Sequence, residues 1–349
     1  MRALVWEGPG KLGISERAAP SPQAGQVLIR SVAVGLCGTD VHLYQGAFAP
    51  AIPPLILGHE VAGIVVEPTS SGRLPALKAG DRVVVNPSVG CGRCLYCLAN
   101  RPHHCRNRRT IGLSGWDGGL ADYLVAPAEN VHLMSPGVSW EDGACMDNLA
   151  NAIHALDLVP PRLSETVAVF GCGASGLCFI QLCRQRGAAR IIAVDIQDDR
   201  LDWARRLGAD HLVHAKRESA AEAIQALTDG LGVDLAIESS GAVAAPPACM
   251  RSASTGGRVL IFGVYEGLVN GVDFQDQHRR EITIFGSSGA PDTFPRAVEL
   301  VASGQVQLGS MVTHEVALDD VPPFLAAGLV PEGNGGHIKS VVMMAKERG

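Results

Sequence analysis

The stretch from Thr166 to Cys183, "TVAVFGCGASGLCFIQLC", decides the fold. An apolar, β-prone run over 166 to 170 meets Gly171, Gly173 and Gly176, and a helical pattern follows over 174 to 186. An uncharged window of ~18 residues would also suffice for a membrane helix. The three glycines oppose that reading, because a buried strand, a glycine turn and a helix packed on a sheet account for the same letters.

In such a unit the glycines allow a tight turn, close approach of a pyrophosphate to the backbone, and contact between helix and sheet. The next strand, "RIIAVD", ends in Asp195, 19 residues after Gly176. An acidic side chain there accepts both adenosine ribose hydroxyls and repels a 2′-phosphate, so the pattern predicts NAD rather than NADP. A helix cap would explain Asp195 alone and leave the glycines unexplained.

The alternation continues with a helix over 198 to 207, a short strand over 211 to 213, a helix over 217 to 228, the strand "VDLAIES", a helix over 245 to 253, and the strands "GRVLIFG" and "EITIFGSSG". Six apolar strands joined mostly by helices predict an α/β fold with a doubly wound parallel sheet. Before it, "GQVLIRSVAVG", "EVAGIVVE" and "GDRVVVN" are short Val-rich runs punctuated by Gly and Pro, the texture of an antiparallel, barrel-like domain. After it, "MVTHEVAL" and "IKSVVMM" are again short strands. The expected division is 1–150, 151–290 and a return to the first domain over 291–349.

At 349 residues the chain exceeds one ordinary core, which splits beyond roughly 250 to 300 residues, so two domains are expected. The composition is 47% apolar and 18% charged, with a net charge of −6 and no basic block, which argues against nucleic acid as a partner. Small molecules or copies of the chain itself are the expected partners. The start, "MRALVWEGPG", turns polar and Gly-rich after six residues and lacks the apolar segment of a signal peptide, which predicts the cytoplasm. Ten cysteines in that compartment stay reduced rather than forming a disulfide framework.

Cys91, Cys94, Cys97 and Cys105 form C-x2-C-x2-C-x7-C. Four thiolates on one short loop can close a tetrahedron around Zn²⁺, and a site filled by four protein ligands is structural; ordinary buried thiols and an iron–sulfur cluster are the competing readings. His103 and His104, inside the loop, are expected to face solvent.

A second group is spread over "SVAVGLCGTDVH" and "ILGHEVAGIVV". Each apolar run ends in reactive side chains: Cys37, Thr39, Asp40 and His42 in the first, His59 and Glu60 in the second. Cys37, His59 and Glu60 can meet at one zinc ion with a position left open for water or substrate. The competing reading is a small buried hydrophobe, a hydrogen-bonded core histidine and a solvated charge.

Taken in order, "CGTDVH", "GHEVAG", "GDRV", the four-cysteine loop, "GCGASG" and "AVD" resemble the medium-chain zinc-dependent alcohol dehydrogenase family. "IGLSGWDGGLADYLVAP" and "CMDNLANAIHA" are most similar to the branch of sorbitol, 2,3-butanediol and threonine dehydrogenases. The resemblance implies a GroES-like β-rich catalytic domain, a Rossmann domain, an active site in the cleft between them, NAD, and two zinc ions per chain, one catalytic and one structural. It also implies a homodimer or homotetramer, with "EITIFGSS" as an edge strand that could pair across a two-fold axis.

By the same resemblance Cys37 and His59 are catalytic zinc ligands, and Glu60 binds the zinc or exchanges with water. Asp40 orients the histidine, and Thr39 and His42 relay a proton to the surface. Ala174, Ser175, Arg200, Val264 and Ser287 join Gly171, Gly173, Gly176 and Asp195 as cofactor-binding residues. Zinc would act as a Lewis acid on a bound alcohol, whose hydride passes to the nicotinamide ring.

One departure concerns "CMDNLAN", where the branch usually has Glu-Pro and this chain has Asp147 and Asn148. Asp147 can meet the metal directly, through water, or bind a substrate hydroxyl instead; as a plain helix N-cap it would do none of these. Gly38 matches the polyol branch and favours a polyol or other secondary alcohol over ethanol. Tyr44, Phe48 and Trp116 either line the pocket or pack. The long connection "EPTSSGRLPALKAGDRV" reads as a surface loop.

The expected function is hydride transfer between NAD and a secondary alcohol, namely a polyol, vicinal diol, aminocyclitol or hydroxy amino acid, giving a ketone. The alternative is a zinc-stabilised dinucleotide-binding protein that has lost catalysis and serves as a sensor or structural partner.

Overall fold

The computed structural model describes residues 1–47, 51–69, 76–329 and 336–344. The chain forms two compact units, Met1–Ala150 with Gly289–Gly349, and Asn151–Ser288.

In the first unit one sheet runs in the order Val131–Leu133, Arg82–Val85, Glu60–Glu67, Gln26–Leu36, Lys339–Met343, Val312–Val316, and Tyr123–Pro127 also pairs with Gln26–Leu36. All these pairs are antiparallel except the last, Val312–Val316 beside Lys339–Met343. The strand Gln26–Leu36 alternates half-buried and buried residues until Val34, then becomes buried continuously through Leu36. Its far end is therefore covered on both faces, and Cys37 follows directly. Leu4, Val34, Leu57, Val61, Val83, Leu120 and Leu124 belong to one buried cluster. Each such side chain contributes about 1.5–3 kcal/mol relative to exposure, which holds the loops between strands in place.

The second unit contains a six-stranded, all-parallel sheet in the order His211–His214, Arg190–Asp195, Thr166–Phe170, Val233–Glu238, Ala253–Ile261, Thr283–Gly286. The order reverses at Thr166–Phe170, the strand that leads into the glycine turn, and ligands of such sheets bind outside the carboxyl ends at that reversal. The 166–183 stretch is a strand, a turn and the helix Ala174–Gln185. None of the described helices is long and apolar enough to cross a membrane.

Two details differ from expectation. The helix expected over 217 to 228 starts at Ala220, because the Ser219 hydroxyl accepts the Glu222 amide and caps it there. A further helix, Phe274–Arg280, precedes the last strand. It buries none of its residues, so no apolar period marks it; the Asp276–Arg280 pair at 2.5 Å and the Arg280 donation to Ala253 O at 2.6 Å hold it instead.

Candidate active site

Cys37 ends the covered strand and caps the helix Gly38–Gln45: its thiol accepts the Thr39 amide at 3.3 Å. Asp40, fully buried, closes the capping box, with Oδ2 accepting the Cys37 amide at 2.9 Å. Its other oxygen lies 3.3 Å from Nδ1 of His59. One carboxylate thus accepts the Cys37 amide and faces the ring of His59 at ion-pair distance. With Nδ1 turned to Asp40, Nε2 faces the Cys37 sulfur at 3.3 Å.

A tetrahedral zinc with bonds of about 2.3 Å to sulfur and 2.05 Å to nitrogen separates those two atoms by about 3.6 Å, so the pair fits the ion with little movement. Burial alone would lower the His59 pKa, but the facing Cys37 and Asp40 outweigh it and hold the imidazole well above its ordinary value.

Glu60 is buried rather than solvated. Oε1 accepts from Asn148 Nδ2 at 2.8 Å and lies 3.9 Å from His59 Nε2, and Oε2 pairs with Lys339 Nζ at 2.5 Å. A Cβ at Gly35 would strike the Glu60 carboxylate, so only glycine leaves room for it. Burial disfavours the charged Lys339, yet Glu60 and Cys37 raise its pKa, so it is an ammonium. Burial pushes the neighbouring Cys145 thiol up to about 12, which makes it an inert core thiol.

Asp147 lies inside the first turn of the helix Met146–Leu158 rather than ahead of it as an N-cap. Its carboxylate, His59 and Glu60 offer ligand atoms within 4.8 Å of one another, and so do Cys37, Asp40 and His59. The two groups share His59. Thr39 and His42, half-buried, stand three residues apart on the helix Gly38–Gln45, hence on one face.

The four loop cysteines also offer sulfurs within 4.8 Å of one another. Cys91 and Cys97 are 4.0 Å apart and Cys94 and Cys97 3.5 Å, close to the edge of about 3.8 Å of a zinc–thiolate tetrahedron. Backbone amides already point at the sulfurs, from Cys91 to Cys105 at 3.4 Å and from Cys97 to Cys94 at 3.5 Å. The Arg93 amide leads in drawing the Cys91 thiol down to about 6. All ten cysteines are free thiols. His104 faces solvent as expected, but His103 is buried, because the short turn Pro102–His104 rotates it inward under Gly289.

In the second unit Gly171 has φ +92° and a Cβ there would meet Ser240 at 2.7 Å; one at Gly176 would strike the Gly171 carbonyl. A Cβ at Gly173 would meet nothing within 4 Å. Gly173 starts the helix Ala174–Gln185 without a side-chain cap, and the first turn of such a helix is suited to a phosphate. Asp195 accepts the Cys172 amide at 2.7 Å and the Ile196 and Gln197 amides at 2.7 and 3.1 Å. Those donors fix a negative charge at the end of its strand. Arg200 Nε and Ser287 Oγ are buried without a hydrogen-bond partner, and Val264 is 72% exposed in the turn after Ala253–Ile261. The open cradle, the fixed carboxylate and the two orphaned polar atoms fit a dinucleotide.

Residues 23–136 match the alcohol dehydrogenase GroES-like domain and residues 174–303 the zinc-binding dehydrogenase domain. The sorbitol dehydrogenase of Bacillus subtilis is 31% identical over 322 residues, 91% of each chain. The chain belongs to the zinc-binding alcohol dehydrogenase family. The L-threonine 3-dehydrogenase of Bacillus licheniformis is 32% identical over 92% of this chain and 93% of its own. Among solved structures, a protein of Sinorhizobium meliloti 1021 described as a zinc-binding dehydrogenase bound to NADP superimposes with a TM-score of 0.91 at 33% identity, over 98% of both chains.

Within this dehydrogenase, Trp116 donates to Val125 O at 2.7 Å and lies 4.4 Å beneath the Arg109 guanidinium, and Tyr44 packs on the core; both are packing residues. Phe48 and residues 70–75 of the long connection lie outside the described residues. Asn148 was named from sequence only as part of the departure beside Asp147, with no role, and Lys339 was not singled out. The available signals were a lysine inside the apolar strand "IKSVVMM" and an amide in place of the proline in "CMDNLAN".

Proposed function

We propose that this chain oxidises a secondary hydroxyl of a polyol, vicinal diol, aminocyclitol or hydroxy amino acid to the ketone, with NAD as hydride acceptor. The observation that carries the reading is Asp40, which accepts the Cys37 amide and faces the His59 ring at ion-pair distance, with Nε2 of that ring toward the Cys37 sulfur.

Cys37, His59 and the carboxylates of Glu60 and Asp147 are the donor set of a catalytic zinc, and Cys91, Cys94, Cys97 and Cys105 that of a structural one. When bound, zinc polarises the hydroxyl and lowers its pKa, and the nicotinamide accepts hydride. Asp40 keeps His59 in the tautomer with Nδ1 protonated, which leaves Nε2 as a ligand and raises its basicity. Thr39 accepts the hydroxyl proton and His42, one turn along the same face, passes it to solvent. Gly171, Gly173, Ala174, Ser175 and Gly176 receive the pyrophosphate. Asp195 receives the adenosine ribose, while Arg200, Val264 and Ser287 complete the cofactor contacts.

The Sinorhizobium relative holds NADP, whose extra phosphate the pinned Asp195 carboxylate here would oppose. Asp195→Ala should raise the KM for NAD by about tenfold and narrow the preference over NADP, an ordinary cost for losing a charged hydrogen bond.

Residues 1–150 and 291–349 form the catalytic domain and 151–290 the cofactor domain. The exposed edge strand Thr283–Gly286 suits pairing in a homodimer or homotetramer, and elution at monomer size in gel filtration would refute it. Ten free thiols suit the reducing cytoplasm, which cell fractionation would check.

The test of the activity is NADH formation over a panel of polyols, diols, aminocyclitols and threonine. Turnover on one class that disappears in Cys37→Ser supports the reading. Silence from a protein holding only the loop zinc favours the non-catalytic alternative.

A further inference from the structure

Glu238 is fully buried at the end of its strand, and neither the metal centres nor the cofactor contacts named above use it. Its carboxylate gathers four neutral donors. Oε1 accepts the Ser240 amide at 2.8 Å, the Ser240 hydroxyl at 2.6 Å and the Gly241 amide at 3.0 Å, and Oε2 accepts the Tyr265 hydroxyl. Burial and then the facing carboxylate raise the Tyr265 pKa, which keeps the hydroxyl protonated as the donor. A Cβ at Gly263 would strike Oε2, so glycine there leaves the carboxylate its room.

These bonds join three turns at the carboxyl ends of adjacent strands. The Ser239 amide donates to Phe170 O at 2.8 Å, and its hydroxyl lies 3.0 and 2.9 Å from the Phe170 and Gly171 carbonyls, which ties 239–241 to the glycine turn. The Phe262 and Gly263 amides donate to Glu238 O at 2.9 and 3.1 Å, and a Cβ at Gly241 would meet Val264 O at 2.6 Å. Beyond those backbone contacts, the Tyr265 hydroxyl ties the third turn to the Glu238 side chain.

The order of the sheet gives this tie its meaning. Asp195 ends the strand on one side of Thr166–Phe170, and Val233–Glu238 and Ala253–Ile261 lie on the other. A dinucleotide with its adenosine ribose at Asp195 and its pyrophosphate at the glycine turn must lay its nicotinamide half toward that other side, over the turns that follow Glu238 and Ile261.

Resting on the cofactor reading above, we propose that Tyr265 is a positioning residue for the nicotinamide half of NAD: through Glu238 it fixes the Val264 turn relative to the glycine turn. One dinucleotide meets both turns, so holding them at a set separation beforehand spares the cost of ordering them on binding. Without the hydroxyl, a buried carboxylate oxygen loses its donor and the turn beyond Val264 loses its tie.

Tyr265→Phe removes only that hydroxyl. Calorimetry on the zinc-loaded protein compares NADH with ADP-ribose, which lacks the nicotinamide. The Kd for NADH should rise about tenfold, the usual cost of one hydrogen bond to a buried charge, while that for ADP-ribose stays within about twofold. Glu238→Gln keeps an oxygen for the Ser240 and Gly241 amides and offers an N–H to the tyrosine oxygen, so it should bind NADH within about threefold of the wild type.

Unchanged NADH affinity in Tyr265→Phe would overturn the proposal. So would equal weakening of NADH and ADP-ribose, which is what a general loosening of the domain produces, or a Glu238→Gln protein that binds NADH as weakly as Tyr265→Phe. A wild-type protein that binds neither ligand would instead overturn the cofactor reading on which the proposal rests.

Discussion

The two metal centres of this dehydrogenase differ in how they are built. The cysteine loop takes all four ligands from residues 91 to 105 and leaves three of them half-exposed. The other centre draws Cys37 from the end of one strand, His59 and Glu60 from the start of another, Asp147 and Asn148 from a helix, and Lys339 from a third strand, and it buries Asp40, His59, Glu60 and Lys339. A loop centre can depend on the metal for its order. The buried centre is held by hydrogen bonds and ion pairs before any metal arrives, which is what a site that must leave a position open requires.

The largest expected effects contrast the two directly. Cys37→Ser should abolish NADH formation while the melting temperature stays near that of the wild type, as read by activity assay and calorimetry. Cys97→Ser should do the reverse in kind, lowering the melting temperature and the loop zinc content, with activity lost only as the fold is lost. If both variants melted alike, the contrast between the centres would not stand.

Asp147→Ala comes next, with kcat/KM down by about 10- to 100-fold and the melting temperature little changed. Asp40→Asn should cost about tenfold in zinc affinity, because the amide fixes the His59 ring less firmly than the carboxylate. A wild-type affinity there would remove Asp40 from the account.

The last effect is on pH. Burial lowers the His59 pKa but Cys37 and Asp40 raise it above its ordinary value, so zinc competes with a proton for the ring. Apparent zinc affinity of the buried centre should therefore rise with pH, by up to about tenfold per unit below the His59 pKa and less above it. Competition with a chelator across neutral pH measures the slope, and a flat profile would contradict the protonated ring.

The same contrast governs what was legible in the sequence. The cysteine loop and the strand–glycine–helix unit are local, so spacing alone marks them. Cys37 and His59 end separate strands, and composition left them open between ligands and core residues until the family resemblance joined them. Asn148 was visible only as a departure from Glu-Pro, and Lys339 not at all, because nothing local ties either to Glu60; the packing of a helix and a distant strand brings them there. The helix Phe274–Arg280 was missed for a related reason, since side-chain pairs rather than an apolar stripe hold it.

The most direct test is the zinc content of the folded wild type and of Cys37→Ser, measured by mass spectrometry of the metal. The account predicts two zinc ions per chain falling to one, with activity lost and the fold kept. Two ions retained in the variant, or only one in the wild type, would contradict a catalytic zinc at Cys37 and His59.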